Sequence, residues 1–264
     1  MTEDTGLPGQ GTPPNREEVS GEFLRLVEVV ARLRAPDGCP WDRVQTLKSI
    51  RPHTLEETYE VLEAIDAEDD ALLQEELGDL LLQVVLYAQI ARDEGRFELT
   101  AVLRDLGDKL VRRHPHVFGD AKASNPEEVI QHWERVKREE KQHRKSVLEG
   151  VPKDLPALAR SGRLQSKAAK IDLAEPAGEE LLLKIDEAMG AVLKVVPESA
   201  RQSTKSSDVS PTEDRELLAE RERAFGEVLF LIAELARRSG VNAEDALRAR
   251  NGWFQRGVEE RESR

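Results

Sequence analysis

Apolar positions recur along this chain at three- and four-residue intervals, and almost nowhere at the two-residue interval of a half-buried strand. Phe23, Leu26, Val27, Val30 and Leu33 mark one face of a first helix over residues 17–34, which Pro36, Gly38 and Pro40 bring to a stop. A second helix is predicted after Pro52, with Thr54 as N-cap, running to about Asp66. The third, about 71–91, is apolar nearly all round, with Leu72, Leu77, Leu80, Leu81, Val85 and Ile90 on different faces, so it is expected at the centre of a bundle. Gly78 in its middle costs about 1 kcal/mol relative to Ala, which a close neighbouring backbone or ligand would offset. A fourth helix, about 99–114, ends at Pro115, and Asn125-Pro126-Glu127-Glu128 opens a fifth with a capping residue, proline at N1 and acids in the first turn. After a proline-bearing connector at 146–158, helical patterns resume at 158–170, 178–195 and 214–238. The fold class predicted is all-α, a helical bundle.

Two segments lack any such period. Residues 1–15 read as a disordered tail, with neither the basic start nor the apolar stretch of a secretion signal. Residues of about 197–214 are polar and rich in Ser and Pro, a composition that buries no core and reads as a flexible loop. Cys39 is the single cysteine, which rules out an intramolecular disulfide and a multi-cysteine metal site and fits a reducing, cytoplasmic setting. No apolar run approaches the roughly 20 residues of a membrane span.

Charge changes the picture more than composition does. The formal net charge of −13 argues against nucleic acid as a partner. Residues 51–100 hold 14 acidic and 3 basic side chains, whereas residues 101–150 hold 9 acidic and 11 basic. One block calls for cations and the next can hold anions, which together describe a site for a metal-bound polyphosphate. Within the acidic block, Glu57 and Glu60 share a helical face, as do Glu76 and Asp79 one helix later. A short turn at about 67–70 would pack these helices antiparallel and bring the pairs together. Oxygen ligands without Cys or His point to Mg²⁺, with Mn²⁺ as an alternative. A solvated face is the commoner meaning of Glu56, Glu57, Glu60 and Glu63 taken alone. For Glu76 and Asp79 that meaning is less apt, because Leu77, Leu80, Leu81 and Leu82 crowd them. A carboxylate-bridged di-iron bundle would need two Glu-x-x-His pairs, and only Glu140 and His143 have that spacing.

In the basic block, Lys109 and Arg113 lie four apart, as do Trp133 and Lys137. Each pair reads either as surface ion pairing and core packing or as a phosphate clamp with an indole that stacks on a base or holds a cation. His114 and His116 flank Pro115, where a structural or phosphate role outranks metal binding. For Cys39, Trp41 and Asp42 the default is a loop that fixes the bundle, and the sharper alternative is a wall of a nucleotide pocket.

"EETYE" (56–60) followed after 15 residues by "ELGD" (76–79) resembles the signature of the MazG-type nucleoside triphosphate pyrophosphohydrolases of the all-α NTP pyrophosphatase superfamily. "VARLRAPDGCPWDRVQT", "RRHPHVFGD" and "HWERVKREE" are similar to the same family, so the resemblance covers about residues 20–160. It implies a helical bundle that dimerises and, with Mg²⁺, hydrolyses nucleoside triphosphates to monophosphate and pyrophosphate; stacking on Trp133 would tolerate any base, so broad specificity suited to control of nucleotide pools is expected. By motif position it implies Glu57, Glu60, Glu76 and Asp79 as metal ligands and Lys109, Arg113, Trp133 and Lys137 as nucleotide contacts. Glu56 would orient or deprotonate the attacking water, or simply face solvent. A nucleotide-binding regulatory protein with little catalysis is the alternative.

Residues 158–264 look like a second, degraded copy of the domain at 16–157. Aligning "KIDE" with "ETYE" puts Lys184 in the place of Glu57 and Glu187 in that of Glu60. "AFGE" against "ELGD" puts Ala224 for Glu76 and Glu227 for Asp79, while Trp253 and Gly257 stand for Lys109 and Arg113. Phe225, Val228, Leu229, Ile232 and Leu235 keep an apolar stripe, so this half is expected to pack or regulate and not to catalyse.

Overall fold

The computed structural model describes residues 12–140, 146–171, 173, 178–197 and 215–263. Most of the expected N-terminal tail and nearly all of the expected 197–214 loop lie outside them. The described residues are helical and contain no strand. No helix among them is long and apolar enough to cross a membrane. The chain divides into two compact units, residues 1–140 and 141–264, so the connector expected to close the first half falls in the second.

The first unit runs α1 (Arg16–Arg34), α2 (Pro40–Val44), α3 (Arg51–Asp66), α4 (Asp70–Asp93), α5 (Leu99–Arg113), α6 (Pro115–Phe118) and α7 (Pro126–Glu140). Side-chain caps mark three of these helix starts. Asn15 caps α1 by accepting from the amides of Glu17 and Glu18, and Asp69 caps α4 by accepting from Ala71 and Leu72. At α7, Asn125 Oδ1 accepts from the Glu128 amide at 2.9 Å while Glu128 Oε2 accepts from the Ser124 amide at 2.7 Å, two helix-start donors satisfied together. Thr54 is not the cap of α3. That helix begins three residues earlier, and the Thr54 hydroxyl is hydrogen-bonded at 2.9 Å to Tyr87 Oη on α4.

Helices α3 and α4 pack along each other as the short turn between them requires, with Glu68 in the left-handed region at φ 54°. The core of this unit sits at the other end of α4, where Val30, Ile50, Val85, Leu86 and Ile90 are buried under Phe23, Leu26, Leu82 and Leu99. The expectation of a helix buried all round therefore holds for only half of α4. Toward its N-terminus Leu77, Leu81 and Val84 are 50%, 40% and 44% exposed, and nothing lies within 4 Å of where a Cβ on Gly78 would be. Leu55 and Tyr59 on α3 are exposed as well. The apolar rows are real, but the described residues leave them exposed.

The second unit contains α8 (Ala157–Ala168), a 3₁₀ turn (Ala169–Ile171), α9 (Glu179–Val195), α10 (Arg215–Arg238) and α11 (Ala243–Glu262). Helices α9 and α10 pack on each other as α3 and α4 do, around Leu181, Ala188 and Leu231. The apolar stripe of α10 divides: Val228 and Leu235 join this core, whereas Phe225, Leu229 and Ile232 are exposed. Glu234 on the same helix is fully buried, and Arg237 and Arg238 neutralise it at 2.6 Å. Helix α11 escapes the periodicity because its apolar positions are sparse among charged ones, and its clearest signal is Asn242, which caps it through the Glu244 amide.

Candidate active site

The acidic site forms where α3 and α4 run side by side. One carboxylate oxygen from each of Glu57, Glu76 and Asp79 lies within 4.8 Å of the others. This set spans two helices, so the turn at 67–69 and not sequence proximity brings it together. Partial burial pushes the Glu57 carboxyl above its ordinary pKa, and the charges of Asp79 and Glu60 and a hydrogen bond with Glu60 push the same way. Glu76 is raised by desolvation first and then by Glu60, Glu75 and Asp79. Glu60 thus acts electrically on both, although its oxygens are not among the three that lie within 4.8 Å of one another. Such a centre repels itself unless it is protonated or holds a cation. Its donors are carboxylate oxygens alone, which suits a hard divalent ion. Glu56 lies outside the cluster and faces His53, with Oε2 3.5 Å from Nδ1.

The second group forms where α5 meets α7. Arg113 Nη2 donates to Glu140 Oε2 at 2.5 Å and its Nε donates to the same oxygen at 3.1 Å, while Arg112 Nε donates to Glu140 Oε1 at 2.7 Å. Between these two guanidinium groups the Glu140 carboxyl is lowered to about 2. Lys137 Nζ lies 4.1 Å above the Trp133 ring centroid and Arg113 Cζ lies 5.2 Å from it. Three of the four predicted contacts, Arg113, Trp133 and Lys137, therefore converge, and Lys109 stands one turn before Arg113 on α5. Trp133 thus has cations against its ring in this structure.

Two contacts beside these groups escape sequence reasoning. Glu140 orients Arg113 from 27 residues away, a separation that no local period reports. His132 joins the predicted His114 and His116 in a row, with ring centroids 5.6 Å and 6.4 Å apart along it.

In sequence comparisons, residues 45–118 match the family described as the MazG nucleotide pyrophosphohydrolase domain, a span that contains the acidic centre and both Lys109 and Arg113 of α5. The chain is 44% identical over 194 residues to the nucleoside triphosphate pyrophosphohydrolase of Escherichia coli K12, covering 70% of this chain and 73% of that one. It is 45% identical over 174 residues to the nucleoside triphosphate pyrophosphohydrolase/pyrophosphatase MazG of Thermotoga maritima, covering 63% and 67%. A solved mazG-related protein from Thermotoga maritima is 30% identical over 44% of this chain and 98% of its own, with a TM-score of 0.39. The chain belongs to the MazG family of nucleotide pyrophosphohydrolases.

Proposed function

We propose that this hydrolase cleaves nucleoside triphosphates between the α and β phosphates, releasing nucleoside monophosphate and pyrophosphate in a Mg²⁺-dependent reaction. The observation that carries the reading is the convergence of Glu57, Glu76 and Asp79, with Glu60 beside them, inside the segment that matches the family. These four carboxylates would hold the divalent ion. Bound there, Mg²⁺ supplies positive charge against the phosphates and makes a nearby water more acidic. Lys109, Arg113 and Lys137 take phosphate oxygens, and Trp133 and Glu140 keep two of those cations in place. Glu56, occupied by His53, is assigned no step.

Purified protein with Mg²⁺ and a panel of nucleoside triphosphates is expected to give monophosphate and pyrophosphate, separated by ion-exchange chromatography. Diphosphate and orthophosphate would refute the cleavage position. Nucleotide binding without turnover would make the protein a regulatory binder. The proposed specificity is broad, with kcat/KM differing by less than about 100-fold between bases, a role suited to control of nucleotide pools in the cytoplasm.

A second copy of the chain is the proposed cover for Leu55 and Tyr59 on α3 and for Leu77, Leu81 and Val84 on α4, which makes the working form a homodimer. The second half is proposed to be catalytically silent. Lys184 and Glu187 stand on α9 and Ala224 and Glu227 on α10, so two of four ligand positions carry no carboxylate and one carries a cation. Among the described residues no second carboxylate cluster accompanies the first. Glu227→Gln in the full chain is expected to leave turnover within about twofold of the parent, whereas loss of most activity would give this half a part in catalysis.

A further inference from the structure

An exposed tryptophan on a braced loop calls for a reason, and Trp41 is one. Its side chain is 53% exposed at the start of α2, yet the loop that carries it is held from several sides. Arg34, whose guanidinium is nearly buried, donates to the carbonyls of Asp42 at 2.5 Å and Gln45 at 3.2 Å and to Asp93 at 2.7 Å. Gln45 Nε2 donates to the Trp41 carbonyl at 3.0 Å. A Cβ at Gly38 would run into the carbonyls of Arg32 and Leu33, so the chain there admits only glycine. The bracing acts on the backbone and leaves the indole displayed.

What the indole faces gives it a use. Its ring meets His53 edge-on, with centroids 6.0 Å apart and planes at 65°. His53 is four residues before Glu57 on α3, so the two share a helical face and are separated by about 6 Å of rise. The aromatic pair thus stands one turn from the acidic centre, on the side toward the start of α3. A substrate whose phosphates lie against that centre must place its sugar and base a short distance away. The other candidate stacking surface, Trp133, is engaged by Lys137 and Arg113.

We infer that Trp41, braced by His53, is the platform on which the substrate's nucleobase stacks. This rests on the nucleotide reading above and adds to it the residue that holds the base. Stacking uses a π-face that every base possesses, so the platform accepts purines and pyrimidines alike. It also explains the rigidity of the loop, since an indole ordered beforehand loses little freedom when the base arrives.

The test compares two ligands by titration calorimetry in Mg²⁺: the α,β-methylene analogue of ATP, whose scissile oxygen is a carbon, and inorganic tripolyphosphate, which has no base. Trp41→Ala is expected to weaken the analogue by about 10-fold or more and tripolyphosphate by less than about twofold, and Trp41→Phe is expected to recover most of the loss. Equal weakening of both ligands would mark Trp41 as a structural residue, and unchanged analogue affinity would remove it from the site; either result overturns the inference alone. Failure of the parent protein to bind the analogue at all would sink the functional reading together with it.

Discussion

Asp79→Asn is expected to lower kcat/KM for any nucleoside triphosphate by at least about 100-fold while leaving the helical circular-dichroism signal intact, and to abolish Mg²⁺ binding measured by calorimetry. Asparagine keeps the volume and one oxygen but removes the negative charge, and the oxygens of Glu57, Glu76 and Asp79 lie within 4.8 Å of one another, so every member influences the others. The same substitution has a second, opposite signature. Glu57 and Glu76 both have raised carboxyl pKa values, so the folded protein binds their protons more tightly than the unfolded chain does. Their contribution to stability is present below the ordinary carboxylate range and is lost as pH rises through the raised values. Metal-free parent protein therefore loses stability relative to Asp79→Asn as pH rises above the ordinary carboxylate range, because the variant removes a charge that acts on both. Thermal melts with and without Mg²⁺ read this directly: the ion raises the parent's midpoint at pH 7 and leaves that of the variant unchanged. Full activity in Asp79→Asn would take this residue out of the site.

Arg113→Ala is expected to lower kcat/KM by about 100-fold, and Arg113→Lys to recover only part of it, because lysine keeps the charge and loses the planar fork. Arg113 has two duties in the structure. It lies over Trp133 in company with Lys137, and it shares Glu140 with Arg112. The second duty costs stability when removed, so a control is needed. Glu140→Gln breaks the carboxylate side of the pair and leaves Arg113 in place, and a loss of about 1–2 kcal/mol in urea unfolding at pH 7 is expected. Glu140 is lowered to about 2, so its contribution is present above the usual carboxylate range and fades as pH falls toward that value, where parent and Glu140→Gln converge. A phosphate-binding Arg113 predicts a much greater catalytic loss in Arg113→Ala than in Glu140→Gln. Equal losses in the two variants would reduce Arg113 to a structural partner.

Much of this protein is legible in its residue order alone. The helical period places α1, α3, α4, α5, α7, α8, α9 and α10, because a helix writes its apolar face into residues three and four apart. The carboxylate pairs are legible for the same reason, each being one helical step long, and Asn125 with Glu128 announces α7 through a cap that needs only four consecutive residues. Helix α11, whose apolar positions are sparse among charged ones, writes a weaker pattern.

Tertiary structure alone decided the rest. The row of apolar residues on α4 looks uniform in sequence, yet Val85, Leu86 and Ile90 are buried and Leu77, Leu81 and Val84 are not, because burial depends on what packs alongside and no period encodes the neighbour. The partner that orients Arg113 comes from the end of a different helix, and the ring that faces Trp41 comes from beyond a turn. The spacing of charges along α3 and α4 thus came from the sequence, through backbone geometry that every helix shares. Which oxygens meet, which indole has cations against its ring and which stays exposed came from the packing of one helix against another.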